Sequence, residues 1–276
     1  MSPRAQTVSA LRRARVVGLL AASLLAAAGP ARASTTATSQ HWSGYVVTGT
    51  SVAYTRVTGT WNEPAVDCTH SRGAALSVVS VGLGGFVTGA DKPEQVGTDA
   101  NCSARHEPSY YAWFELSPDV AHTINAKVEP GDTITGLVKL LRINLVEIRV
   151  RDATRHWTFM RKITLPATDT TSAEWIVEAP YACRRFTCRQ ASLANFGSVE
   201  IHGIAATGNG SNGTLAHRAW TRTRLRFVPC TPNSKAGAST RGMSSDGSTF
   251  TIAWIRNAGA TRCAPDSTSA MLGSHH

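Results

Sequence analysis

Wherever the body of this chain is periodic, its apolar residues recur at every second position, and that period most limits what it can fold into. Val146, Ile148 and Val150 alternate with Glu147, Arg149 and Arg151; Trp157 and Phe159 alternate with Thr158 and Met160; Phe250, Ile252 and Trp254 alternate with Thr251 and Ala253. Successive side chains of a strand point to opposite faces, so each stretch predicts a strand with one face to bury. Turn signals separate them, among them Glu129-Pro130-Gly131-Asp132 and Gly208-Asn209-Gly210-Ser211-Asn212-Gly213. No strand-helix-strand rhythm and no internal repeat appears, so the expectation is an all-β chain, a sandwich of antiparallel sheets. Thr231–Ser248 is the loosest stretch and reads as a long loop, and the polar Ser34–Gln40 reads as flexible.

A 3.6-residue period is convincing only before residue 33. Arg4, Arg12, Arg13 and Arg15 precede an apolar run from Val16 to Ala28, and Ala31-Arg32-Ala33 has the small-x-small pattern of a cleavage site. The run is too short to span a bilayer. Residues 1–33 are therefore expected to be a secretory signal peptide, and 34–276 a single β-sandwich domain. The leader holds five Arg and no acid, so its removal takes the formal charge from +10 to +5. Arg218, Arg222, Arg224 and Arg226 alternate along one strand. With export, modest charge and no interleaved aromatics, they read as a solvated face and not as a nucleic-acid stripe.

All six cysteines follow the leader, which fits disulfides formed in an oxidising compartment. Six cysteines allow fifteen pairings. Pairing between sequence neighbours is expected: Cys68 with Cys102, Cys183 with Cys188, and Cys230 with Cys263. A metal site at Cys183-Arg184-Arg185-Phe186-Thr187-Cys188 is disfavoured by the two Arg and the lack of further ligands at suitable spacing.

No His-Glu-x-x-His, Gly-x-Ser-x-Gly or phosphate-binding glycine loop occurs, and Gly82-Leu83-Gly84-Gly85 reads as a turn. Three strand-like stretches do carry chemistry. In Ser172-Ala173-Glu174-Trp175-Ile176-Val177-Glu178-Ala179, the face with Trp175 is apolar and the opposite face holds Glu174. A strand mounts a side chain firmly, so Glu174 is a candidate acid or base. Gln95 and Asp99 share a face with Gly97 between them, and Tyr111, Trp113 and Glu115 share another. Brought together, they would make a groove with aromatic walls, an amide and several carboxyls, suited to an extended polymer.

These stretches, together with Trp42-Ser43-Gly44 and Val57-Thr58-Gly59-Thr60-Trp61-Asn62-Glu63-Pro64, resemble in order the glutamic peptidases, or eqolisins, from about Trp42 to Trp254. The resemblance implies a concanavalin-like sandwich of two antiparallel sheets and acid-active endopeptidase chemistry. It also implies a catalytic pair, Gln95 and Glu174, with no metal and no cofactor. An ionised Glu can take a proton from water and return it to the leaving nitrogen, while a Gln amide donates to the oxyanion. An ordinary Glu titrates near pH ~4.3, so the base form would persist into acid. Asp99 and Glu115 are expected to tune that titration and contact substrate, with Tyr111 and Trp113 walling the cleft. Family members carry Trp and Asp in a Trp-x-Gly-x-Asp segment where this chain has Ser80-Val81-Gly82-Leu83-Gly84, which removes one cleft wall and one acidic neighbour.

The expected partner is a polypeptide substrate, with no nucleic acid and no membrane after signal cleavage, acted on by a secreted, extracellular monomer. Two alternatives remain at this level. One is a non-catalytic, lectin-like glycan-binding sandwich. The other is a glycosidase using Glu115 and Glu174, whose carboxyls would then stand about 5.5 Å apart for retention or roughly 6.5–9.5 Å for inversion.

Overall fold

The computed structural model describes Met1 and residues 34–261 except 70, 72, 88–92, 185–186 and 231–233; for residues 181–184 and 187–189 it describes the backbone alone. The expected signal peptide, Met1 apart, lies outside the described residues. No described helix is long and apolar enough to cross a membrane.

The described strands build two facing layers. One runs, in spatial order, through Ser34–Ser39, Thr221–Phe227, Trp42–Thr48, Ser172–Glu178, Val78–Leu83, Glu94–Cys102, Pro108–Leu116 and His122–Ile124. The other runs through Gly237–Arg241, Phe250–Ile255, Ser198–Gly208, Tyr54–Asn62, Thr133–Arg142, Leu145–Asp152 and Trp157–Thr164. Within these two layers neighbouring strands are antiparallel apart from the Ser34–Ser39 edge, which pairs in parallel with Thr221–Phe227; the short Ser192–Leu193 and Ala75–Leu76 strands also pair in parallel.

The core fills the space between layers with the alternating residues the sequence marked. Ala173, Trp175, Val177 and Ala179 face inward, as do Val146, Ile148 and Val150 from the far layer. Two buried tryptophans cross-link the layers: Trp175 Nε1 donates to Thr58 O at 2.8 Å, and Trp61 Nε1 donates to Thr98 Oγ1 at 2.9 Å. A polar group buried with a partner avoids the cost of an unmet one, so each indole contributes its large apolar area undiminished. Room for Trp175 comes from Gly59, where a Cβ would lie 2.9 Å from Trp175 Cδ1. Truncating such a residue to Ala costs about 3–5 kcal/mol.

Three expectations are corrected here. Ser34–Ser39 is a strand, held by backbone pairing and by Thr35 Oγ1 against Thr223 Oγ1 at 2.8 Å. Its Ser/Thr composition hides it, because an edge strand needs little apolar burial. Thr231–Ser248 is not one loop: Gly237–Arg241 pairs with Phe250–Ile255 and meets Thr221–Phe227 at Phe227–Ala238. A Cβ on Gly237 would lie 2.5 Å from Phe227 O, so the small residues that weaken the sequence signal are what permits this approach. The arginine stripe is only partly a solvated face: Arg218 and Arg226 are exposed as expected, but Arg222 and Arg224 are half-buried. Arg222 and Arg224 stand opposite core-facing Val47 and Tyr45, and Arg224 donates to Thr240 and Ser239 where the two layers join.

Candidate active site

Cross-strand register gathers every sequence-selected side chain onto the outer face of one four-strand segment, Ser172–Glu178, Val78–Leu83, Glu94–Cys102 and Pro108–Leu116. Glu174 stands opposite Gly82, Gly82 opposite Gln95, and Gln95 opposite Glu115. The next row is Ile176, Ser80, Gly97 and Trp113, and the third is Glu178, Val78, Asp99 and Tyr111. Strands lie ~4.8 Å apart and alternate residues along them ~6.8 Å apart, so the three rows form a compact grid.

Gly82 is the centre of the first row. A Cβ placed there would fall 2.4 Å from Glu174 Oε1 and 3.1 Å from Gln95 Cβ. Glu174 therefore leans over the glycine that separates its strand from that of Gln95, whose Cβ stands close on the other side, and no other residue leaves that space. Gly97 permits a similar closeness in the second row, its Cβ position lying 2.2 Å from Val79 O and 3.0 Å from Ser80 Cβ.

Glu174 and Gln95 are 1% and 4% exposed. Gln95 Nε2 donates to Glu115 Oε2 at 2.9 Å, and Ser172 Oγ donates to Glu174 Oε2 at 3.3 Å. Gln95 Oε1, Glu174 Oε1 and Ser80 Oγ are buried without a hydrogen-bond partner in the protein. Buried polar atoms are nearly always paired, so this cluster on one face marks a place shaped for something polar.

Burial drives Glu174 well above the usual carboxylate range; the Ser172 hydroxyl opposes this, and the negative charges of Asp169, Glu94 and Glu178 add to it. The expectation of an ordinary glutamate is thus replaced by that of a stronger, desolvated base. Glu178 is pushed up to about 8, by burial first and then by Glu115, with Trp42 opposing and Asp99 adding. Trp42 Nε1 donates to Glu178 Oε2 at 2.8 Å and its ring stacks on Phe86 at 6.4 Å.

Asp99 is fully buried, its Oδ2 accepting from Asn101 Nδ2 at 2.9 Å, and Asn101 Nδ2 also reaches Tyr111 Oη at 3.3 Å. Burial, followed by the Asp99 charge, raises the Tyr111 phenol. Tyr111 and Glu115 are half-buried, whereas Trp113 is fully buried and lies within the face instead of standing as an open wall.

Sequence reasoning passed over Ser172, Gly82 and the Trp42–Glu178 pair. Ser172 and Glu178 were legible by period, two and four residues from Glu174 on the same face. Gly82 was not, since its role depends on which strand lies to each side. The turn read at Gly82–Gly85 begins only at Gly84, because Val78–Leu83 is strand.

Cys68 and Cys102 form a disulfide, as expected. Cys183 and Cys188 occupy paired positions of a hairpin backbone. Cys230 is disulfide-bonded, and Cys263 lies outside the described residues. Among the described residues, no group of three His, Cys, Asp or Glu is arranged to hold a metal ion.

The sequence pattern of the Peptidase A4 family matches residues 40–254. No curated protein matches the sequence. Among solved structures, the chain is similar to scytalido-glutamic peptidase with a transition state analog inhibitor, at 19% identity and TM-score 0.64, over 78% of this chain and 98% of that one. It is also similar to SCP-B, a member of the eqolisin family of peptidases in complex with the tripeptide Ala-Ile-His, at 19% identity and TM-score 0.60, over 78% and 98%. Aspergilloglutamic peptidase from Aspergillus niger is similar at 22% identity and TM-score 0.50, over 66% and 99%. At these identities the likeness is one of fold.

Proposed function

The chain belongs to the peptidase A4 family, the eqolisins, and is a glutamic endopeptidase; from that premise we propose that it is exported and uses Glu174 and Gln95 as its catalytic pair. The observation that carries this reading is the Gly82 centre, flanked by Glu174 Oε1 on one side and Gln95 Cβ on the other, each side chain carrying a buried oxygen with no hydrogen-bond partner in the protein.

The reaction needs a water held by these two unpartnered oxygens. Ionised Glu174 removes one of its protons as the water oxygen bonds to the scissile carbonyl carbon, whose oxygen becomes an oxyanion. Gln95 has two amide hydrogens, one engaged by Glu115, which leaves the other for the oxyanion. Protonated Glu174 then delivers its proton to the leaving nitrogen as the C–N bond breaks. Desolvation makes Glu174 a better base but lowers its ionised fraction in acid, so the acid limb of kcat/KM should lie above the ordinary glutamate range.

Half-buried Tyr111 and Glu115 are the groups that touch an extended polypeptide, while buried Asp99 hydrogen-bonds Tyr111 and buried Trp113 fills the row between them. No metal or cofactor enters these steps. The glycosidase alternative is disfavoured because Gln95 stands between Glu115 and Glu174 in the row and engages the Glu115 carboxyl by its amide. The leader directs residues 34–276, as one domain and a monomer, to the extracellular space.

The test is digestion of unfolded casein from pH 2 to 7, with and without chelator, by protein collected from culture medium. Cleavage is expected to survive chelator, and the collected protein to begin after Ala33. Glu174→Gln should lose activity at least ~100-fold and Gln95→Ala about 100- to 1000-fold, both with unchanged circular dichroism. Undiminished cleavage by Glu174→Gln would reject the catalytic assignment.

A further inference from the structure

Asp169 belongs to the segment that leads into the Glu174 strand, and it is not part of the three-row face. Its Oδ1 accepts from Thr171 N at 2.8 Å and from Thr171 Oγ1 at 2.7 Å, and its Oδ2 accepts from Gly85 N at 2.8 Å. The last bond crosses to the turn that ends the Gly82 strand. There Gly84 has φ +80°, and a Cβ on it would lie 2.5 Å from Asp169 Cβ, 2.7 Å from Cγ and 2.8 Å from Oδ2. The Asp169 side chain thus fills the space that a side chain at position 84 would occupy. Gly84 N also donates to Ser172 O at 3.1 Å, so the same junction fixes the residue whose hydroxyl bonds Glu174.

Gly84 lies two residues beyond Gly82, against which Glu174 Oε1 rests. Two residues of extended chain span on the order of 7 Å, which sets the scale of separation between the two carboxyls. We propose that Asp169 is a positioning residue for Glu174, supplying from the neighbouring segment the brace and the negative charge that position 84, being glycine, does not. This rests on Glu174 being the catalytic base. The acidic neighbour that the sequence loses at Gly84 is restored from a point 85 positions further along the chain.

The groups that act on Glu174 are Ser172 and Glu178 on its own strand, Gln95 on the same face of the strand beyond Gly82, Glu94 beside Gln95 on the opposite face of that strand, and Asp169. Of the three charged neighbours, Asp169 has the largest effect, and its sign is to hold the proton on Glu174. The hydrogen bonds to Asp169 come from neutral donors. Its charge is therefore not cancelled by them.

The experiment is the pH profile of kcat/KM on a quenched-fluorescence peptide for Asp169→Asn, Asp169→Glu and Glu174→Gln. Removing the charge should move the acid-limb inflection of Asp169→Asn down by about one pH unit, while Asp169→Glu keeps the wild-type inflection. If Asp169→Asn does not fold, Asp169→Ser, which also removes the charge, is read the same way. An unmoved inflection beside an inactive Glu174→Gln would overturn the role of Asp169 and leave the catalytic pair standing. An active Glu174→Gln would instead overturn the pair, and this inference with it.

Discussion

Gln95 Nε2 donates to Glu115 Oε2 across 2.9 Å, from one strand to its neighbour, so the amide proposed to meet the oxyanion is oriented by a carboxylate directly opposite it. Two side chains that the sequence placed on different strands act as one unit. Which way the amide turns is decided by Glu115, and a Gln without that acceptor would rotate about its last bond.

Glu115→Ala is therefore expected to lower kcat about 10- to 100-fold, since a misplaced oxyanion donor costs up to that order. Glu115→Gln keeps an acceptor oxygen and should retain most activity. Steady-state kinetics on one peptide substrate would compare them, and equal losses in both would argue that the charge and not the hydrogen bond matters.

Gly82→Ala puts a methyl 2.4 Å from Glu174 Oε1 and 3.1 Å from Gln95 Cβ. One of the pair has to move. We expect at least a ~100-fold loss of kcat/KM from a displacement near 1 Å, with a stability loss of about 1–3 kcal/mol from overpacking. Urea denaturation beside activity would separate the two effects; a fully active variant would show that the crowding at Gly82 is not functional.

Glu63 makes stability depend on pH in an unusual direction. It is 2% exposed, and its carboxyl is pushed up from 4.5 to about 8 by burial, opposed by Thr98 and Trp61 and reinforced by Asp99 and Asp132. Between those values the folded state keeps a proton that the unfolded chain gives up, so stability is complete below 4.5 and falls as pH rises toward 8. The slope is up to about 1.4 kcal/mol per pH unit from this one group. Buried Glu174 and half-buried Glu178 act with the same sign. Thermal melts from pH 3 to 8 should show Tm falling above pH ~4.5, where an unfolded Glu ionises, and Glu63→Gln should flatten the fall.

The Cys68–Cys102 bond closes a loop of sequence separation 34, and both residues are buried. Replacing both with Ala should cost about 3–4 kcal/mol by loss of the constraint on the unfolded chain. Urea unfolding would read it as a lower midpoint with a changed slope.

The strands with alternating apolar residues were legible because one buried face imposes a period of two. Trp175, Val146 and Phe250 each lie inward as that period requires. Strands Ser34–Ser39 and Gly237–Arg241 were not legible, because they are held by backbone pairing and close approach, which leave no apolar pattern. The same holds for Arg222 and Arg224, whose alternation is real but whose face turns inward at the join between layers.

By itself, the sequence determined which side chains share a face within each strand: Glu174 with Ser172 and Glu178, Gln95 with Asp99, and Glu115 with Trp113 and Tyr111. Only the tertiary structure decided that Glu174, Gly82, Gln95 and Glu115 stand in one row, and that Asp169 fills the space beside Gly84. The physical reason is that facing within a strand follows from local backbone geometry, whereas register between strands is set by the whole packed core, and a slip of one residue would send each of these groups to the other side.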